Sequence, residues 1–133
     1  MVAAPILTVA TVLGTTLPAS ASADNCGTNG DTGVYNCMYI SGSGLYASEI
    51  RGWSMYDATG YPVHEEVVAP LTAVPDELIC NSSTVTPDDP GTVVGCQKYD
   101  KTLPVSGDYC SILWEYRGGK YLNMAENCVD VFS

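Results

Sequence analysis

The chain has one histidine, in the run His64-Glu65-Glu66, and this is where a conventional base could act near neutral pH. On an extended strand His64 and Glu66 share a face, and Glu65 points the other way. A Ser-His-Asp type of site would need His64, a nucleophilic serine and an orienting acid. No G-x-S-x-G is present; Gly42-Ser43-Gly44 and Gly52-Trp53-Ser54 carry only fragments of that pattern. A zinc site of the H-E-x-x-H kind needs a second histidine, which the chain lacks. Glycoside hydrolysis needs two placed carboxylates, and nothing in the spacing of the fifteen acids singles out a pair. These residues define no catalytic group, no metal ligand and no cofactor site.

Two loops carry weaker signals. Asp88-Asp89 could offer oxygens to calcium. Their setting, Pro87-Asp88-Asp89-Pro90-Gly91, is that of a tight turn, and no EF-hand spacing occurs. Asn81-Ser82-Ser83 matches a glycosylation sequon. The aromatics are skewed: nine tyrosines and two tryptophans against one phenylalanine. Tyrosine is amphipathic and common at binding surfaces. Tyr35 and Tyr39 share a strand face, and Tyr56 and Tyr61 flank a turn. With Asp88 and Asp89 they form the binding surface expected from sequence.

The chain has six cysteines: Cys26, Cys37, Cys80, Cys96, Cys110 and Cys128. No C-x-x-C pair occurs, and no histidine lies near a cysteine. Residues 3–17 are apolar and uncharged, and Ala21-Ser22-Ala23 reads as a cleavage site, so 1–23 is expected to be an export signal. The Lys or Arg that normally opens such a signal is missing from Met1-Val2-Ala3-Ala4. Residues 24–133 then form one secreted domain with three disulfides. Sequence does not select among the possible connectivities; neighbour pairing is the simplest. The hairpin around Gly118-Gly119 sets a test of it. A two-residue turn pairs 117 with 120, so 110 faces 127 and not 128. A Cys110–Cys128 bond needs a bulge or a longer turn, near Ala125-Glu126.

The elements that must position these residues are short strands. Turn signals recur every eight to fifteen residues, and strands are expected over 34–40, 45–53, 63–68, 92–99, 109–116, 120–124 and 128–132. Proline at 62 and 70 places strand 63–68 at a sheet edge. In 109–116, the alternation of Cys110, Ile112, Trp114 and Tyr116 marks them as the core face. The expected fold class is all-β: a small, disulfide-stapled antiparallel β-sandwich after a cleaved signal peptide. It is immunoglobulin-like by analogy only, because the Cys…Trp…Cys spacing is absent.

At 133 residues the chain has the length of a single domain. A net charge of −10 argues against nucleic acid and favours a basic partner. The expected function is a secreted, non-enzymatic, monomeric binding domain for a protein, protease or glycan, with no membrane association once the signal is removed. The alternatives are a small secreted hydrolase using His64 or a carboxylate pair, and a structural wall-associated component.

Overall fold

A computed structural model describes residues 22–70 and 78–132. Apart from Ser22 and Ala23, the expected export signal lies outside the described residues, as does 71–77. The strands are β1 (Ser22–Thr28), β2 (Tyr35–Ser43), β3 (Tyr46–Tyr56), β4 (Val63–Val68), β5 (Leu78–Asn81), β6 (Thr92–Thr102), β7 (Gly107–Arg117) and β8 (Lys120–Val131). The described residues are all-β. They form two antiparallel four-stranded sheets, ordered β1-β2-β3-β6 and β5-β4-β7-β8.

Local chemistry sets the registers. Gly118 and Gly119 both take positive φ, 63° and 80°, which is the geometry of a two-residue hairpin turn. Arg117 therefore faces Lys120. The offset this creates is absorbed at Met124: Trp114 faces Asn123, Leu113 faces Ala125, and Cys110 then faces Cys128. One continuous strand, β8, thus replaces the two C-terminal segments expected from sequence, and the extra residue lies just before Ala125.

The three disulfides join sequence neighbours. Cys26–Cys37 ties β1 to β2 and Cys110–Cys128 ties β7 to β8, with Cα atoms 4.1 and 4.0 Å apart. Cys80–Cys96 joins β5 to β6, from one sheet to the other.

The interior between the sheets is layered. One apolar cluster gathers Met38, Ile50, Val67, Tyr109 and Val129. A second gathers Val34, Tyr56, Val63, Leu113 and Ala125. Between them each of five strands turns one polar residue inward: Asn36, Ser54, Glu65, Ser111 and Asn127. Gly52 lets the sheets approach here, since a Cβ on it would lie 2.6 Å from Val67 Cγ2 and 2.7 Å from Ser111 Oγ.

Two expectations need correcting. Strand β4 is not an edge; it lies between β5 and β7. Pro62 and Pro70 sit outside its ends and remove no donor from the ladder, and Pro62 O accepts a hydrogen bond from the Tyr116 N–H at 2.9 Å. The faces of β7 are also reversed. Tyr109, Ser111, Leu113 and Glu115 face the interior, and Cys110, Ile112, Trp114 and Tyr116 face outward. Tyr109 and Leu113 fill the two apolar clusters, and the small Ser111 fits opposite Gly52.

The close approach at Gly52 gives a stability prediction. Gly52→Ala should cost about 1–3 kcal/mol through overpacking. Gly30→Ala, with open space around it, should change stability by less than about 0.5 kcal/mol. Urea denaturation midpoints check this, and equal midpoints for the two variants would contradict the packing.

Candidate functional site

Because β7 turns Ile112 and Trp114 outward, the outer face of the second sheet carries a groove of about 1000 Å³. Its side chains follow the strand register in rows. Asp108 faces Asp130; Val68, Cys110 and Cys128 form the next row; Glu66, Ile112 and Glu126 the next; then His64, Trp114 and Asn123; and last Tyr116 opposite Tyr121. The floor is apolar: Cys110 and Ile112 are each 8% exposed, with Val68 and Trp114 beside them. The rim is anionic, with Glu66, Asp108, Glu126 and Asp130 lining the same groove. Asp108 and Asp130 stand directly opposite each other, an arrangement that like charges destabilise unless a cation or cationic partner offsets it.

The one histidine sits at the end of this groove. His64 Nε2 lies 3.2 Å from Glu66 Oε2, so the two groups that share a strand face do interact. Trp114 Nε1 donates to the other Glu66 oxygen at 3.0 Å. Tyr121 meets the His64 ring edge-on at 5.5 Å and Tyr116 at 5.0 Å. A smaller hollow beside them is lined by His64, Asn81, Thr84, Trp114 and Tyr121. The geometry gives His64 a carboxylate partner, and the ring is fixed in an aromatic corner.

Beneath this face, on the other side of β4 and β7, lies the polar layer. Ser54 Oγ donates to Glu65 Oε1 at 2.7 Å, and Ser111 Oγ donates to Oε2. Asn36 Nδ2 lies 2.8 Å from Ser54 Oγ and 3.1 Å from both Ser111 Oγ and Glu65 Oε2. Asn127 Nδ2 donates to Asn36 Oδ1 at 2.9 Å. Burial pushes the Glu65 carboxyl up from its ordinary value to about 7. The bonds from Ser111, Ser54 and Asn36 pull it back, and the charge of Glu66 adds to the rise. Serine hydroxyls both donate and accept, so the layer can satisfy either protonation state. Farther along, buried Glu115 accepts from the Tyr56 hydroxyl and pairs with Arg117 Nε at 2.9 Å. Burial first, and then this bond to Glu115, raise the Tyr56 hydroxyl well above its usual value.

The residues expected to form a binding surface do not share one place. Tyr35 packs on Trp53 at 5.6 Å, and Tyr39 lies under Arg51 at 5.0 Å, both on the outer face of the first sheet. Tyr61 is covered by the Arg117 guanidinium at 3.8 Å. Tyr56 is 1% exposed and belongs to the interior, which removes it from any surface. Asp88 and Asp89 are exposed in a bend held by Gly60 N–H to Pro87 O at 3.0 Å and Gly91 N–H to Tyr56 O at 2.9 Å. Among the described residues, the metal-type donors that converge are Cys110, Cys128 and Glu126, and the disulfide has consumed both thiols.

Sequence reasoning missed Glu66, Ile112, Trp114, Glu126, Asp108, Asp130 and Tyr121 as a group. The available signal was the paired alternation of 63–68 and 109–116, which becomes informative once the strands are known to be neighbours. Comparison with protein families, with curated proteins and with solved structures finds no match to this chain.

The raised Glu65 carboxyl predicts a pH dependence. Between the ordinary value and about 7 the folded chain holds a proton that the unfolded chain has released. The stabilising contribution of the protonated group is full in acid and is lost as pH rises through that window. Glu65→Gln should therefore gain on the wild type as pH rises toward 7, by up to about 1.4 kcal/mol per pH unit. Urea midpoints of both proteins across pH 4.5–7.5 check this. A constant difference would place Glu65 in water.

Proposed function

We propose that this is an exported, disulfide-stapled binding domain that acts without catalysis, and that its binding face is the outer face of the second sheet. The observation that carries this reading is the inverted alternation of β7. An exposed sheet face is ordinarily polar, whereas here Ile112 and Trp114 face outward and Ser111 and Glu115 face inward. A sheltered apolar floor with a few fixed polar groups is the form of a ligand site. The three disulfides support an extracellular setting. Removal of the leader after Ala23 would leave β1 paired with β2 from Asp24 to Thr28. The immunoglobulin-type sandwich enters by analogy only and supplies no ligand.

A second reading, a small hydrolase, draws support from Glu66 and Glu126, which flank Ile112 in one row of the groove. It is the weaker one, because both oxygens of Glu66 are already engaged by Trp114 and His64 and the ring of His64 faces a carboxylate.

Amide chemical-shift mapping tests the binding face. Three probes are added in turn: a nonapeptide alternating lysine and leucine with serine, its glutamate counterpart, and cellohexaose. Shifts clustered on β4, β7 and β8 with any of them are expected. Shifts confined to the first sheet or the loops, or none with any probe at millimolar concentration, would overturn the reading.

A further inference from the structure

Resting on that binding face, we propose that its occupant is an extended, cationic polypeptide segment of another protein, lying along β7 with basic and apolar side chains alternating on its inward side. The groove lining carries four carboxylates and no lysine or arginine. The chain's five bases, Arg51, Lys98, Lys101, Arg117 and Lys120, all lie elsewhere. Trp114 and His64 contact Glu66, and Asn123 donates to Glu126, but no lysine or arginine of the groove lining offsets the four charges. Charge complementarity therefore selects a cationic partner, and the apolar floor excludes one that is only a point charge.

The rows set the spacing. Acidic rows at Asp108/Asp130 and Glu66/Ile112/Glu126 alternate with an apolar row at Val68/Cys110/Cys128 and with a row whose centre is the aromatic Trp114, flanked by His64 and Asn123. Successive rows are two residues apart along β7, about 7 Å at the strand repeat. An extended partner has the same repeat, so its residues i, i+2, i+4 and i+6 fall on successive rows. The pattern that matches is basic, any, apolar, any, basic, any, apolar or aromatic. A helix brings side chains three and four apart onto one face and does not reproduce that repeat. Glu66 on β4 and Glu126 on β8 flank Ile112 from strands about 10 Å apart, two strand spacings, which leaves width for one extended chain.

This chain contains no such pattern: none of its five bases is followed four residues later by another. Its net charge of −10 also opposes self-association through this face. The partner is accordingly a different molecule.

Calorimetric titration with synthetic peptides tests the inference. The first probe is a nonapeptide reading Ser-Lys-Ser-Leu-Ser-Lys-Ser-Leu-Ser, and the second has the same composition with the lysines and leucines in blocks. The alternating peptide is expected to bind about fivefold or more tighter than the block peptide, and more weakly as salt rises. Glu66→Gln together with Glu126→Gln should weaken it about fivefold to thirtyfold, while Asp88→Asn together with Asp89→Asn, which removes the same charge from a loop, should change it less than about twofold. Glutamine keeps the acceptors used by Trp114 and Asn123, so the variant retains its local structure. Equal affinity for the two peptides, or equal weakening by the two double variants, would overturn the inference. If cellohexaose or the glutamate peptide instead maps to β4, β7 and β8, the cationic occupant fails and the binding face stands. If no probe reaches those strands, both fail.

Discussion

The hydrogen-bonded layer of Asn36, Ser54, Glu65, Ser111 and Asn127 runs through the middle of the interior, and the orientation of both sheets follows from keeping it satisfied. A buried carboxylate without donors costs several kcal/mol. Glu65 has donors from β2, β3 and β7, and Asn127 of β8 fixes the asparagine that supplies one of them. A one-residue slip in any of these strands would turn its polar member outward; in β2, β3 and β7 it would bring an apolar or aromatic residue toward the layer, and in β4 it would bring His64 or Glu66 there instead of Glu65. The cluster thus selects one register for five strands at once, at the cost of dividing the apolar core into two smaller parts.

The outer faces follow from this constraint. With Glu65 inward, His64 and Glu66 must face out. With Ser111 inward, Ile112 and Trp114 must face out. Gly52 on the opposite sheet makes the arrangement possible, because the space a side chain would take is already filled by Val67 and Ser111. The six acids on the strands of the second sheet then fall into two groups. Glu65 and Glu115 are internal and hydrogen-bonded or ion-paired. Glu66, Glu126, Asp108 and Asp130 surround a sheltered apolar floor. The Cys110–Cys128 disulfide lies in that floor and holds β7 and β8 together beneath the rim.

Much of this was legible in the sequence. The positions of β2, β3, β4, β6 and β7, the neighbour disulfides and the need for a bulge to join Cys110 to Cys128 follow from turn residues and cysteine spacing, whereas β1 and β5 were not expected as strands. The faces of β7 did not, because its two alternating sets are nearly equal in apolarity. Cys110, Ile112 and Trp114 compete with Tyr109 and Leu113. The choice is made by a partner on the other sheet, where Gly52 leaves room only for Ser111, and no local pattern records that contact. Tyr56 misled in the same way: beside a turn it reads as a surface tyrosine, but Glu115, distant in sequence, holds its hydroxyl inside. Pro62 and Pro70 suggested an edge strand, yet each sits just outside the ladder it was expected to interrupt. The groove could be found only after the pairing of β4, β7 and β8 was known, since its residues come from three strands.

The most direct test of this arrangement is the titration of the Glu65 side-chain carboxyl carbon by NMR. Burial in the polar layer predicts a midpoint near 7. A midpoint in the ordinary glutamate range, about 4.3, would put Glu65 in water. The faces of β4 and β7 would then be reversed, with Ile112 and Trp114 in the core and no groove on the outer face.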